Sequence, residues 1–181
     1  MLLGRGGWSY LADDNPHRAT PEGYQPNFVS PDQRFLGYTP NVDDSEGPEV
    51  ILQDTTNDRQ IRLRRSQPCT IQSFGMKSVV SAAFSALNVL VALGFSDGYI
   101  EIFRIDDEDN EGMVESLGHL NLPLANLVVA DVSYPKPKRM AMKFNNAFDR
   151  LIVFHDIGDF AANQQGNGTF AVSEINVTDT Q

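Results

Sequence analysis

The sequence is short of cysteine, of basic residues and of long apolar runs. Its single cysteine, Cys69, cannot form an internal disulfide or a thiolate metal site, and it fits a reducing compartment. No stretch approaches the ~18 to 20 apolar residues that a membrane-spanning helix needs. Met1, Leu2 and Leu3 are followed at once by glycine and arginine, so no secretory signal core forms. We therefore expect a cytoplasmic or virion location and no membrane partner.

Basic side chains are few, since 14 Lys and Arg stand against 24 Asp and Glu and give a net charge of −10. A mostly negative surface repels nucleic acid and anionic lipid, which excludes both as expected partners. The remaining composition, 41% hydrophobic and 21% charged over 181 residues, is typical of one soluble domain with a less regular segment. The expected partners are other protein subunits, in a homo- or hetero-oligomer.

The first 48 residues are rich in proline and hold six of the ten in the chain. Each proline fixes φ and removes a backbone donor, so a helix is excluded and an extended, turn-rich path is predicted. Because large rings in a disordered tail would gain nothing, the aromatic residues of this segment indicate anchors on the chain's own body or on a neighbouring subunit. These anchors are Trp8, Tyr10, Tyr24, Phe28, Phe35 and Tyr38. We predict an extended arm over residues 1–48 and a β-rich domain over residues 49–181.

Short apolar runs with alternating polarity begin at residue 49. Residues 50–52 and 60–64 predict one hairpin, and residues 89–93 and 99–105 predict another around the turn Ser96-Asp97-Gly98. Further strand candidates are residues 140–144, 151–154 and 169–177. The predicted fold class is mainly β, either a compact sandwich or barrel or a set of partial propeller-like blades.

Residues 78–93 allow two interpretations. Val80, Phe84, Leu87 and Val91 form an apolar stripe at helical spacing, with Gly94 as a C-terminal stop, which is typical of a single helix. The β-branched residues at 79, 80, 89 and 91 favour two strands instead.

Two stretches of the chain repeat the same strand pattern. Residues 80–85, 88–94 and 96–105 are followed by partial copies at residues 140–145, 150–154 and 168–175, and residues 168–175 align without a gap against residues 98–105. This pattern resembles the inner strands of a WD40-type propeller blade, although neither unit closes on Trp-Asp. The resemblance implies a scaffold for protein contacts, with apolar sheet faces that neighbouring blades cover.

One motif suggests an enzyme. Residues 94–98 match G-x-S-x-G, in which Ser96 would be a hydrolase nucleophile, with His119 or His155 as base and Asp131 orienting it. That chemistry needs a helix directly after the turn, whereas residues 99–105 alternate as a strand does. The histidines have no metal-ligand spacing, so neither a metal nor a cofactor is predicted.

Two basic patches stand out on the acidic chain and are candidate sites for a protein partner. One comprises Arg59, Arg62, Arg64 and Arg65, and the other comprises Lys136, Lys138 and Arg139 together with Lys143 and Arg150. Together with the aromatic arm, they favour a non-enzymatic structural or assembly subunit. The leading hypothesis is a virion-type component (capsid, cement or tail) whose arm docks on neighbouring subunits. The alternatives are a WD40-like scaffold piece of a cellular complex and a serine hydrolase using Ser96.

Overall fold

The computed structural model describes residues 20–40, 49–68, 78–86, 88–105, 114, 116–123, 126–129, 132–135, 139–145, 147, 149–157, 160–161 and 169–177. These residues form four sheets. Sheet 1 contains β1 (Tyr24–Val29), β2 (Phe35–Pro40), β3 (Glu49–Asp54) and β4 (Gln60–Arg64), and sheet 2 contains β5 (Val79–Phe84), β6 (Leu90–Phe95), β7 (Tyr99–Arg104) and β8 (Ser116–Asn121). A small sheet contains β9 (Asn126–Val129), β10 (Val132–Pro135) and β13 (Phe160–Ala161). Sheet 3 contains β11 (Met140–Phe144), β12 (Arg150–Ile157) and β14 (Thr169–Asn176).

Sheet 2 lies between sheet 1 and sheet 3, and both of its faces are buried. On β7, Tyr99 and Phe103 belong to a core shared with sheet 1, whereas Ile100 and Ile102 belong to a core shared with sheet 3. Successive side chains of a strand point to opposite faces, so sheets 1 and 3 cover opposite sides of sheet 2. The mainly β prediction is therefore correct, and the arrangement is a row of stacked sheets, as in propeller blades.

The same turn joins the first two strands in all three large sheets. In sheet 1 the Ser30 hydroxyl accepts a hydrogen bond from the Phe35 amide at 2.9 Å, and in sheet 2 the Ser85 hydroxyl accepts one from the Leu90 amide at 2.9 Å. In sheet 3 the Asn145 side-chain oxygen accepts from the Arg150 amide at 3.2 Å. These matching turns make sheet 1 a third copy of the repeated unit.

The backbone register corrects one detail of the repeat. Ile105 donates its amide to the Val89 carbonyl, and Val177 donates its amide to the Asp149 carbonyl in the same way. Val177 is therefore the equivalent of Ile105, and the gap-free alignment of residues 168–175 with 98–105 is displaced by two residues. Because side chains alternate with a period of two, this displacement leaves each residue on its predicted face.

The described residues between 78 and 93 contribute to β5 and β6, which pair as an antiparallel hairpin, and not to a helix. Both hairpins predicted from the sequence are present, β3 with β4 and β6 with β7.

The described part of the predicted arm consists of two strands. Leu36 pairs with Gln53 and Tyr38 pairs with Ile51, so β2 is joined to β3 across the boundary expected at residue 48. The strands of residues 24–40 and 49–64 accordingly form one sheet. Residues 1–19 and 41–48 of the predicted arm lie outside the described residues.

Candidate interaction surfaces

Three of the five exposed large hydrophobic side chains among the described residues lie on the outer face of sheet 3. Of the large hydrophobic side chains exposed there, Val172 is 64% accessible, Phe154 47% and Phe170 43%. The Phe154 and Phe170 rings stack with centroids 4.9 Å apart and an interplanar angle of 10°. We call this surface the open face, and it comprises Ala141, Lys143, Ile152, Phe154, Phe170, Val172 and Glu174.

The strand register arranges the open face in rows that cross the three strands. One row runs from Lys143 on β11 through Ile152 on β12 to Glu174 on β14. The next row runs from Ala141 through Phe154 to Val172. The open face therefore has an apolar centre, with Lys143 on one side and, on the other, Glu174, whose carboxylate forms an ion pair with Arg150 of β12 at 2.9 Å.

The repeat explains why the open face is apolar. Val172 is the structural equivalent of Ile100, which sheet 3 covers so fully that only 1% of it is accessible. In the same way, Ile152 is the equivalent of the fully buried Ala92. The open face thus has the residue pattern of a blade surface that the next sheet covers.

A buried polar cluster joins sheet 1 to sheet 2. Just beyond β4, the Arg65 guanidinium forms an ion pair with Asp97 at 2.6 Å, and the two side chains are only 5% and 6% exposed. The guanidinium also lies 4.0 Å from the centroid of the Tyr99 ring and 5.1 Å from that of Phe95. Asp97 is held in turn because its carboxylate accepts a hydrogen bond from the Tyr99 amide. Arg65 therefore fixes the turn between β6 and β7 to the end of sheet 1.

The same cluster extends to β8 through Ser66 and Tyr99. The Ser66 amide donates to the buried Glu101 carboxylate at 3.0 Å, and the Ser66 and Tyr99 hydroxyls are 2.9 Å apart. The His119 ring stacks on Tyr99 at 5.3 Å. Burial raises the pKa of the Tyr99 hydroxyl, and the nearby Glu101 carboxylate adds to the increase. The sequence placed Arg65 in a basic patch for a partner, whereas its side chain is buried in this cluster. The cluster itself was not predicted, because adjacent arginines and an isolated buried glutamate give no recognisable spacing.

A second polar link joins the first turns of sheets 1 and 2. Asp32 accepts hydrogen bonds from the Ser30 hydroxyl at 2.6 Å and from the Asn88 amide group at 2.6 Å. Partial burial acts to raise the pKa of Asp32, but these hydrogen bonds outweigh it and hold the pKa below its usual value. The ionised carboxylate therefore stabilises the stack of the first two sheets.

A cavity of about 400 Å³ lies where the first strands of the three large sheets end. It is lined mainly by small and apolar residues of β1, β5 and β11 and of the adjoining turns, including Val29, Ala83 and Phe144. Lys143 contributes the charged group of the lining. The volume suits a small ligand, although no pair of convergent polar groups indicates its chemistry.

The predicted aromatic anchors that the structure describes pack within the chain. Phe35 is fully buried in the core between sheets 1 and 2, and Phe28 packs against that core. Phe28 lies directly over Gly37, where an added Cβ would be only 2.1 Å from its ring. Tyr38 is buried with Leu36 on the other face of sheet 1, where Tyr24 packs against it. Trp8 and Tyr10 lie outside the described residues.

The predicted basic patches do not meet at one site among the described residues. Arg62 is exposed on sheet 1 and forms an ion pair with Glu49, and Arg64 lies exposed on the same strand. Arg139 is exposed beside β11, 3.4 Å from the buried Asp156 and near the Phe170 ring of the open face. Lys136 and Lys138 lie outside the described residues.

Ser96 does not occupy a nucleophile elbow. Its side chain is fully buried in the turn between β6 and β7, where its hydroxyl accepts a hydrogen bond from Ser78 at 3.3 Å. A strand follows this turn, so no helix N-terminus could stabilise an oxyanion there. The structure thus removes the geometry on which the hydrolase hypothesis depends.

The described residues include no cluster of three or more His, Cys, Asp or Glu side chains that could hold a metal ion. No helix in these residues has the length and hydropathy of a membrane span.

The sheets and their open face define a mainly β chain built from stacked antiparallel units. Its structure resembles Hsv2 of the yeast Kluyveromyces lactis at 10% sequence identity, with a TM-score of 0.45 over 83% of this chain and 46% of that one. A second match is KlHsv2 with loop 6CD replaced by a Gly-Ser linker, at 10% identity and a TM-score of 0.46 over 83% of this chain and 44% of that one. The chain thus spans less than half the length of either structure. No protein-family model matches the sequence, and no curated protein does.

Proposed function

We propose that this chain is a non-enzymatic, WD40-like scaffold that binds another protein through the open face of sheet 3. One observation carries the proposal: the equivalent face is covered by a neighbouring sheet in sheets 1 and 2, and it is exposed in sheet 3. A partner that covers the open face would extend the same stack.

The energetics of the open face support a binding role. Contiguous exposed apolar surface is costly in water, and on soluble proteins it marks interaction sites. A rigid aromatic pair such as Phe154 with Phe170 is a typical interface anchor, because it buries much area at a small cost in side-chain entropy. The sheet supplies the rigidity, since β12 pairs along its whole length with β14.

The virion-type component remains a prediction with less support than the scaffold. Its mechanism required the aromatic residues of the arm to dock on neighbours, and Phe35 and Tyr38 are already buried in this chain. A cytoplasmic or virion location likewise remains a prediction.

Site-specific photo-crosslinking tests the proposed function. A benzoylphenylalanine placed at Val172, in protein expressed in its source cells, should give a discrete protein adduct. The matched control carries the same group at Gln60, an exposed position on β4 of sheet 1. Equal adducts at both positions, or none at position 172, would contradict the proposal.

A further inference from the structure

Resting on the proposed function, we infer that the partner supplies one extended β-strand, which pairs with the outer edge of β14 as the fourth strand of sheet 3. The number of strands differs between the sheets. Sheets 1 and 2 each have four, with β4 paired to β3 and β8 paired to β7. Among the described residues sheet 3 has three, and β14, the equivalent of β3 and β7, pairs with β12 alone.

The hydrogen-bond register shows which backbone groups of β14 point away from β12. Val177 lies opposite Asp149 and donates its amide to the Asp149 carbonyl, so the two residues form a hydrogen-bonded pair. In an antiparallel ladder such pairs recur at every second residue, so the odd-numbered residues of β14 direct their N–H and C=O groups to β12. The even-numbered residues direct theirs outward. We call these outward groups the open edge, and they belong to Phe170, Val172 and Glu174.

The equivalent edge of sheet 2 is occupied. Gly98, the equivalent of Phe170, accepts a hydrogen bond at its carbonyl oxygen from the Leu122 amide at 2.9 Å. Ile100, the equivalent of Val172, lies opposite Leu120 of β8. No described strand takes the place of β8 in sheet 3. Since unpaired N–H and C=O groups along an edge are a template for another strand, the open edge has the geometry to bind one.

The repeat indicates which kind of strand fits. At the position opposite the equivalent of Val172, sheet 1 has Leu63, paired with Val50, and sheet 2 has Leu120, paired with Ile100. Both leucines belong to the apolar layer between two sheets. A partner strand with apolar side chains at alternate positions would therefore pair with the open edge and widen the apolar surface of the open face.

The open edge and the open face share residues, so one partner can occupy both. The described strands of this chain are not available, because each already belongs to a sheet. A partner on Phe170 and Val172 lies within about one strand spacing, about 4.8 Å, of the open edge. The ion pair of the Glu174 carboxylate with Arg150 does not involve the backbone groups of Glu174. Strand addition of this kind gains affinity from main-chain hydrogen bonds and specificity from alternate side chains.

Amide hydrogen exchange of the purified full chain, followed residue by residue by NMR, tests whether the open edge is free. The amides of Phe170, Val172 and Glu174 should exchange quickly, and the amides of Ala171 and Ser173 between them should exchange slowly, since these bond to β12. Slow exchange at all five would mean that a segment of the chain itself, or a second copy, occupies the edge, and it would overturn the inference. Measurements at several concentrations distinguish these two occupants.

A synthetic peptide of residues 58–65, which contains the strand that completes sheet 1, is the probe for strand addition. Titrated into the full chain, it should shift the amide signals of the open edge and leave those of β3 unchanged. N-methylation at Ile61 and Leu63 should weaken binding at least tenfold, because the N–H groups that face β3 in sheet 1 would face β14. The matched control, methylated at Arg62 and Arg64, should bind as the unmodified peptide does.

The possible outcomes separate this inference from the proposed function. The absence of a shift at the open edge, or equal weakening by both methylated peptides, would reject strand addition. If position 172 still gives a specific adduct in cells, the scaffold proposal then stands without the added strand. If the peptide binds but position 172 gives no more adduct than the Gln60 control, the proposed function fails, and the inference that rests on it fails as well.

Discussion

Replacing Asp97 with alanine should destabilise the protein more than the loss of any exposed ion pair. Asp97 is the partner of Arg65 at 2.6 Å, and the Arg65 side chain is only 5% exposed. One terminal nitrogen of that guanidinium, Nη1, already lacks a hydrogen-bond partner. The substitution would leave a buried cation held by its contacts with the Tyr99 and Phe95 rings and by the hydrogen bond that its Nε donates to the Gln67 carbonyl.

The magnitude follows from this burial. Removing one partner of a buried ion pair costs about 3 to 5 kcal/mol, because the remaining charge stays desolvated. The two aromatic rings retain part of the stabilisation of the cation, so we expect a loss at the lower end, about 3 kcal/mol. With a urea m-value of about 2 kcal/mol/M, the unfolding midpoint should fall by about 1.5 M.

Urea unfolding at pH 7, followed by far-UV circular dichroism, measures this loss. The matched control is Glu49→Ala, which breaks the exposed pair between Glu49 and Arg62 on sheet 1 and should cost about 1 kcal/mol or less. If Asp97→Ala lowers the midpoint no more than Glu49→Ala does, then Arg65 does not fix sheet 1 to sheet 2 and the reasoning fails.

Three other measurements test separate parts of the structure. Gly98→Ala should lower the free energy of unfolding in urea by about 2 kcal/mol, since Gly98 has a φ of +85° and an added Cβ would be 2.6 Å from the Leu122 carbonyl oxygen. The control Gly23→Ala, at a φ of +81° with no neighbouring atom within 4 Å of the added Cβ, should lower it by only about 1 kcal/mol. Because the pKa of Asp32 is lowered in the folded protein, the ionised carboxylate stabilises the fold above about pH 4, and this stabilisation is lost as the pH falls through the pKa of the folded state. Asp32→Asn should therefore reduce the difference between the urea unfolding midpoints at pH 6 and pH 3. An unchanged difference would contradict the link between the first turns. Because the pKa of Tyr99 is raised, stability should decline as the pH rises above about 10, and Tyr99→Phe should remove that part of the decline in unfolding experiments at pH 9 and pH 11.

The centre of the fold could be predicted from sequence because local pattern and tertiary environment agree there. Residues 89–93 are apolar at every position. They show no alternation between an apolar and a polar face, as expected for a strand that is buried on both faces. The turn Ser96-Asp97-Gly98 also carries its own signal, since Gly98 adopts the positive φ that glycine favours.

The first two strands could not be recognised, because their prolines indicate an irregular segment. In the structure each proline occupies a position that a sheet tolerates: Pro26 adjoins a bulge in β1, Pro31 lies in the turn, and Pro40 ends β2. The same residues that exclude a helix are thus compatible with an edge hairpin. No local rule distinguishes that outcome from an extended arm.

The open face could not be identified from sequence for a related reason. Phe170 and Val172 alternate with partly buried residues as they would in any half-buried strand. Which face a neighbouring sheet covers depends on the stacking order, which strand patterns do not encode. Similarly, the Arg65 cluster joins residues of separate sheets, so its members are far apart along the chain.

Equivalent faces are covered in sheet 2 and open in sheet 3, and the proposed binding role of the open face rests on this difference. Thiol-labelling rates of Ile100→Cys and Val172→Cys, each in a Cys69→Ser background, measure this directly. We predict that the cysteine at position 100 reacts only on unfolding, and that the cysteine at position 172 reacts quickly in the folded protein. Equal rates at the two positions would contradict the stacking of the three sheets.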